Sequence, residues 1–330
     1  MKKLLTVLAV ACLAIPFGAA PLSASPKQVS MATNPVGMAL YLTGASLAEV
    51  IKKDFPEVLT LNVEATKGGL ENAQLLSNGE VEVGFTSSDI AKDLYAGTGR
   101  YKGKQTNVLG MFAPLVGVNQ ICMLKNSGIT KAADMKGRRI GLSQPSAMIR
   151  PITDAYLESE GLTRNDFTNV NEGLNSLVDK MKNGQLDGAI WSGVVPLAAM
   201  MDLNKSRDIV WLNSDPEKCR EVLQKNPWMF MTTIPAGTYP NQNEPVSALA
   251  ERYIVVAQED TPEDVVYAIV KSAYENLPTL NNAYKGWKTC TLDTALQSIC
   301  VPLHPGAVRY YREINLPGLD EHLAKYPLKK

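Results

Sequence analysis

Residues 64–91 read EATKGGLENAQLLSNGEVEVGFTSSDIA, and the order of chemistries along them decides the fold class. Gly68 and Gly69 let backbone N–H groups crowd together at a helix start, and Leu70, Ala73 and Leu76 recur at the spacing of one helical face. Asn78-Gly79 ends that helix. Val81, Val83 and Phe85 alternate as a strand does, and Thr86-Ser87-Ser88-Asp89 offers hydroxyls and a carboxylate suited to capping the next helix. Loop, helix, strand and helix start in this order predict an α/β layer. Its two helix N-termini sit at strand ends, where such layers bind small ligands.

The same punctuation returns about a hundred residues later, in Lys182-Asn183-Gly184-Gln185-Leu186-Asp187-Gly188-Ala189-Ile190. A helix again stops at Asn-Gly, and a short apolar strand again runs to a polar loop, here Trp191-Ser192-Gly193. The repeated order predicts two α/β lobes built alike, with any ligand between them.

Outward toward the N-terminus, Lys2-Lys3 and the apolar run Leu4 to Ile15 form a charged and then apolar leader. The run is shorter than the ~20 residues of a membrane helix, and small residues near Ala24 offer a cleavage point. Residues 1–24 are therefore expected to be a signal peptide and the mature protein to be periplasmic. Cys12 lies inside the apolar core, with Ala9 where a lipobox carries Leu, which argues against lipidation. Lys plus Arg balances Asp plus Glu at 33 each, so a nucleic-acid partner is not expected. Cys122, Cys219, Cys290 and Cys300 remain in the mature chain. Proximity favours Cys290 with Cys300 as a disulfide, and four buried thiols are the alternative. With only His304 and His322 and no CxxC motif, neither a zinc site nor a cofactor is expected.

Around the opening stretch, Val29 to Ala32 reads as a strand, Asn34 as an N-cap and Pro35 as first helical turn. Val108 to Leu124 is apolar but interrupted by Pro114 and Gly117, and it reads as two strands, the second leaving the first lobe. Asn126-Ser127-Gly128 is turn chemistry and a candidate hinge. Ser143-Gln144-Pro145-Ser146 reads as the start of a helix that stops at Gly161. Thr261-Pro262-Glu263-Asp264 opens a helix with Val266, Ile269, Ala273 and Leu277 on one face, best placed back on the first lobe. The expected division is 25–126 with 247–330 as lobe I and 127–246 as lobe II, with two chain crossings making a hinged clamp.

These residues resemble the TAXI family of solute receptors, the extracytoplasmic binding subunits of TRAP transporters. The similarity runs over nearly the whole mature chain. It is carried by ATKGGLEN with LLSNGEVEVGFTSSD, SGITKAADMKGRRIGLS, IPAGTY, TPEDVVYAIVKSAYENL and PLHPGAVRYYRE. It implies a type II periplasmic-binding-protein fold: two Rossmann-like α/β domains joined by hinge strands around a cleft. It also implies a non-enzymatic receptor that hands an organic acid or amino acid, such as glutamate or a dicarboxylate, to the small and large subunits of an ion-coupled permease. In the family a first loop rich in glycine precedes a Tyr pair, where this chain has TNPVGMALY. A Pro-Gly-Ser-Gly loop in the second lobe is replaced by Gln144-Pro145-Ser146-Ala147-Met148, so a bulkier, more apolar pocket is expected.

On that resemblance Thr33, Asn34 and Tyr41 of the first loop and Ser143 and Ser146 of the second face the cleft. Thr66, Lys67, Gly68 and Gly69 belong to the glycine loop, and Lys67 is either a solvated charge or an anchor for ligand. Ser87 and Ser88 divide evenly between capping and ligand contact, and Asp89 reads chiefly as a cap. Trp191, with Ser192 beside it, is either an apolar wall of the site or core. His304 between prolines reads as a turn element, and Met200-Met201 as core. Arg150 lies in a first helical turn, unfavourable with the dipole. A bidentate pair with a ligand carboxylate would explain its place. A periplasmic sensor with a signalling partner is the alternative, and a periplasmic enzyme a more distant one. No nucleophile elbow, metal spacing or His-centred pair marks the latter.

Overall fold

A computed structural model describes residues 25–103, 106–144 and 148–328. The expected signal peptide and Ser146 lie outside the described residues. The chain opens with β1 (Lys27–Ala32), α1 (Ala39–Asp54), β2 (Leu59–Glu64), α2 (Gly69–Asn78), β3 (Val83–Ser87) and α3 (Ser88–Ala96). β1 lies between β2 and β3 and runs parallel to both, so two helical crossovers cover the sheet. Asn-Gly closes α2 as expected: Gly79 takes φ +73°, and the amide of Glu80 reaches back to the carbonyl of Leu75. Asn34 does not cap a helix directly, because α1 begins at Ala39. Its Oδ1 nevertheless accepts from the amide of Tyr41 at 2.8 Å, satisfying a first-turn N–H from outside the helix.

β4 (Val108–Leu124) is one 17-residue strand where two were expected. Pro114 does not break it, because the ladder with β10 skips there: Leu115 pairs with Tyr253 and Phe112 with Val255, leaving Ala113 and Pro114 in a bulge that needs no N–H from proline. Gly117 tolerates no side chain, since a Cβ there would lie 2.5 Å from the Tyr253 hydroxyl. The second half repeats the first in grammar, with β5 (Arg139–Leu142), α4 (Arg150–Ser159), β6 (Thr168–Asn171), α5 (Leu174–Lys182) and β7 (Gly188–Gly193). β5 lies between β6 and β7 and is parallel to both. α6 (Ala198–Ser206), β8 (Ile209–Leu212), α7 (Pro216–Lys225), β9 (Met229–Ile234) and β10 (Val246–Gln258) follow. α8 (Glu263–Glu275), α9 (Leu277–Ala283), α10 (Pro305–Glu313) and α11 (Leu319–Lys325) complete the chain.

The strand order β2-β1-β3-β10-β4-β7-β5-β6 is one continuous curled sheet, with β8 beside β4 and β9 beside β10. It holds two lobes. One core joins Met31, Leu47 and Phe85 of the opening elements to Val266, Ile269 and Tyr311 of the closing helices, as the sequence predicts for the helix after Thr261. The second lobe has a core on each face of its sheet, one around Ile140 and Tyr156 and one around Leu177 and Met200. β4 and β10 run unbroken through both lobes. The long strands are held in register from one side by Arg252, which is 4% exposed. Its guanidinium donates to the carbonyls of Ala113 and Thr289 at 2.9 Å each and to Gln297 Oε1 at 2.8 Å. The Cys290–Cys300 disulfide is not formed. All four described cysteines are free, and burial pushes the Cys122 and Cys290 thiols up to about 12. His304 is a turn element, its Nδ1 accepting from the amide of Gly306 at 3.1 Å at the start of α10.

Candidate functional site

The ends of the parallel strands of both lobes meet along a short span of β4 and β10. Ser87, the last residue of β3, lies opposite Tyr253 on β10, and two residues further toward the second lobe Glu251 lies opposite Gly117. Two residues on from Gly117, Asn119 of β4 pairs with Ser192 near the end of β7. Residues spaced by two along a strand share a face. Glu251 and Tyr253 therefore lie on the side of β10 that carries Leu249, and Asn119 on the side of β4 that carries Ile121. Both Leu249 and Ile121 belong to the core beneath α4.

This junction is polar and buried. Glu251 is 1% exposed, and neither of its carboxylate oxygens has a hydrogen-bond partner among the described residues. The amide nitrogen of Asn119 and the hydroxyl of Ser143 are likewise buried and unpartnered. Thr153 of α4 reaches the other end of the Asn119 amide, Oγ1 to Oδ1 at 3.5 Å. Burial, reinforced by the nearby Asp89, holds the Glu251 carboxyl well above the usual carboxylate range. Burial also raises Asp89, against the hydrogen bond it accepts from Ser87 Oγ at 2.5 Å. The Tyr253 hydroxyl, beside Ser192, is pushed up by burial with Glu251 adding to it. Leaving such groups unpaired in the interior costs about 1–3 kcal/mol each, more for a charge, so their gathering at one place points to a ligand.

Of the residues singled out from sequence, Ser87 and Ser192 are brought to this junction, while Ser143 follows the end of β5, one strand beyond β7. Asp89 lies near Glu251 as well, and its carboxylate also meets the first-turn backbone of α3 at Asp89 and Ile90, as a helix-start carboxylate does. Ser88 turns away and donates to the carbonyl of Ser298. Trp191 takes the core reading: half-buried, it packs against the first lobe's core and against the second's. Gly69 meets the second lobe directly, for a Cβ there would lie 2.2 Å from the sulfur of Met148. The helix start expected at Ser146 begins instead at Arg150, with Pro151 in its first turn.

The glycine loop is tied mainly to itself. Asn72 in α2, fully buried, donates to the carbonyls of Thr33 at 2.7 Å and Phe85 at 2.8 Å. Thr66 Oγ1 lies 2.6 Å from Asn72 Oδ1 and accepts from the amide of Gly68 at 3.0 Å. Thr33 Oγ1 donates to the carbonyl of Glu64 at 2.7 Å. Thr33, Asn34 and Thr66 thus make their hydrogen bonds within their own lobe. Gly68 turns the loop at φ +111°, Tyr41 is half-buried, and Lys67 is solvent-exposed. Arg150 is half-buried and pairs with Asp154 at 3.1 Å, while Arg164 pairs with the same carboxylate at 2.5 Å. Two guanidiniums to one carboxylate leave the start of α4 locally positive.

Glu251, Tyr253, Asn119 and Asn72 were not singled out from sequence. A signal existed for Glu251, since Glu251-Arg252 interrupts the apolar run from Val246 to Ala257, where a fully buried strand has no routine use for charge. Among the described residues no group of three or more His, Cys, Asp or Glu is arranged to hold a metal ion.

Comparison with solved structures finds the periplasmic aliphatic sulphonate binding protein SsuA of Escherichia coli at 14% identity over 92% of this chain and 80% of that one, TM-score 0.49. A putative L-cystine ABC transporter protein of Listeria monocytogenes matches at 14% identity over 80% and 98%, TM-score 0.46. Substrate-binding domain 2 of GlnP from Lactococcus lactis matches at 9% over 80% and 95%, TM-score 0.44. In the family comparison residues 31–314 match the NMT1-like family, and the chain belongs to it.

Proposed function

We propose that the protein is an extracytoplasmic solute-binding receptor that captures a small carboxylate-bearing molecule between its two lobes and delivers it to a membrane permease. The observation that carries this reading is the set of buried, unpartnered polar groups at the junction, contributed by both lobes where β4 and β10 cross. A molecule bound between the lobes would give Glu251 and Asn119 the partners they lack among the described residues, and closing around such a molecule is what hinge strands permit. The division proposed is 25–126 with 247–330 against 127–246, with β4 and β10 as the hinge. Arg150 and its positive surroundings stand at the rim for the carboxylate, with Ser143 and Ser87 further in. The finer proposal, a TAXI-type receptor serving the small and large subunits of a TRAP permease, rests on the motifs quoted from the sequence, from the ATKGGLEN loop to PLHPGAVRYYRE. No catalytic role is proposed for any residue.

Native mass spectrometry of protein purified without added ligand tests the receptor reading. The expected result is a stoichiometric adduct of a few hundred daltons that is released unchanged on denaturation. Steady turnover of the released compound, or bare protein together with no response to any small carboxylate, would overturn it. Pull-down from solubilised membranes tests the finer step, with a TRAP permease as the expected companion and an ATP-hydrolysing transporter as the contrary one.

A further inference from the structure

We propose that the cleft receives a protonated amine at the hinge, held by Glu251 together with Asp89, so that the captured solute is an amino-acid-like zwitterion and not a plain mono- or dicarboxylate. The inference rests on the receptor reading and specifies its ligand. Glu251 has no structural use for its carboxylate. Across the ladders it faces Gly117 on one side and Met229 on the other, neither of which offers a side-chain donor, and both oxygens are unpartnered at 1% exposure. The neighbouring cations are engaged elsewhere. Arg252 has turned its guanidinium to Ala113, Thr289 and Gln297, and Lys92 of α3 lies over the Trp228 ring, 5.6 Å from its centroid.

Around Glu251 the chain instead gathers acceptors and hydroxyls: Asp89 and Ser87 from the first lobe, Tyr253 from β10 and Ser192 from the second lobe. Two carboxyls near one another in a buried site repel when both are ionised. An ammonium resolves this, because its charge offsets theirs and its N–H donors match the two Glu251 oxygens, which have no donor among the described residues. A dicarboxylate seated there would add a third negative group with nothing to balance it. Arg150 and Arg164, sharing Asp154 at the start of α4, offer the opposite polarity on the second lobe. A zwitterion therefore matches the site at both ends.

Matched probes on the full-length mature protein test this. Melting temperature and calorimetric affinity are measured for the common L-amino acids and for the same molecules without the amino group, such as glutamate against glutarate, with sodium and calcium chloride as cation controls. The expected result is that at least one amino acid raises the melting temperature while its deaminated partner does not at tenfold higher concentration. Glu251→Gln should weaken that amino acid at least tenfold without lowering the melting temperature of the empty protein, and Asp89→Asn should weaken it less. Equal binding by a deaminated partner would overturn the proposal, as would full affinity in Glu251→Gln, a response to the inorganic cations alone, or silence from every amine-bearing probe. A deaminated probe that binds and closes the lobes would leave the receptor reading standing and remove only the amine.

Discussion

Glu251 carries a consequence that can be read without any ligand. Its proton is held more tightly in the folded chain than in the unfolded one, through burial and through Asp89, and Tyr253 on its own strand faces it as well. The folded state then binds more protons than the unfolded state, so the stability from this group is present in full below the unfolded value of about 4.3 and is lost as pH rises through the folded value. Calorimetric melting of the empty protein from pH 5 to 8 should therefore fall more steeply in wild type than in Glu251→Gln, with the variant the more stable at the upper end. Parallel slopes would mean that Glu251 does not titrate in that window. Arg150 is the second residue to test. With about a third of its side chain exposed and Asp154 already beside it, Arg150→Ala should weaken a carboxylate-bearing solute about tenfold, or about 1.4 kcal/mol. Arg150→Lys should recover only part of that, lacking the planar fork. Identical affinities by titration calorimetry would remove Arg150 from the site. Arg150 was visible in the sequence because a cation in a first helical turn is locally wrong. Asn72 was not, because an amide inside a helix looks solvent-facing until the strands it latches are in place.

At the scale of elements, signals that act within a few residues were legible. Both Asn-Gly stops end helices, with Gly79 and Gly184 at φ +73° and +68° and the following amides closing back on Leu75 and Lys180. Signals decided by a distant partner were not. The single strand β4 was hidden because Pro114 looks like a breaker until β10 supplies the bulge, and β8 and β9 went unread because their partners lie far along the chain. The approach of α2 to the segment before α4 belongs to this second kind, and it gives the element-level prediction. Gly69 has an ordinary φ, and the three atoms a Cβ there would meet first all belong to Met148 of the other lobe. Gly69→Leu should leave the melting temperature of the empty protein nearly unchanged while weakening solute binding at least tenfold, since the lobes could no longer meet. Met148→Ala in the same chain should restore part of the affinity by returning the space. Unaltered binding in Gly69→Leu would show that this contact is not needed for capture.

For the whole molecule, what matters is that the lobes are joined through β4 and β10 and also meet through side chains, with Ser298 and Lys92 of the first lobe reaching Trp228 of the second. Met148, Ile149, Trp191 and Val194 pack onto the first lobe's core, and with Gly69 they form a thin apolar seam over the polar junction. Parting that seam exposes a few half-buried side chains and hydrates Glu251, Asn119 and Ser143, so the apolar cost is partly offset by polar gain. Two arrangements that differ by only a few kcal/mol are the expected result, and a solute that touches both lobes can shift their populations because its contacts exist in one of them alone. X-ray scattering should then give a radius of gyration for the empty protein above the ~19 Å of a compact chain of about 300 residues, contracting toward that value as solute saturates. Gly69→Leu should stay expanded at saturation, which separates closure from binding at one lobe. Should wild-type protein hold the same radius with and without a solute that calorimetry proves bound, β4 and β10 would be a rigid brace, and the solute would enter by side-chain movement at the seam and not by motion of the lobes.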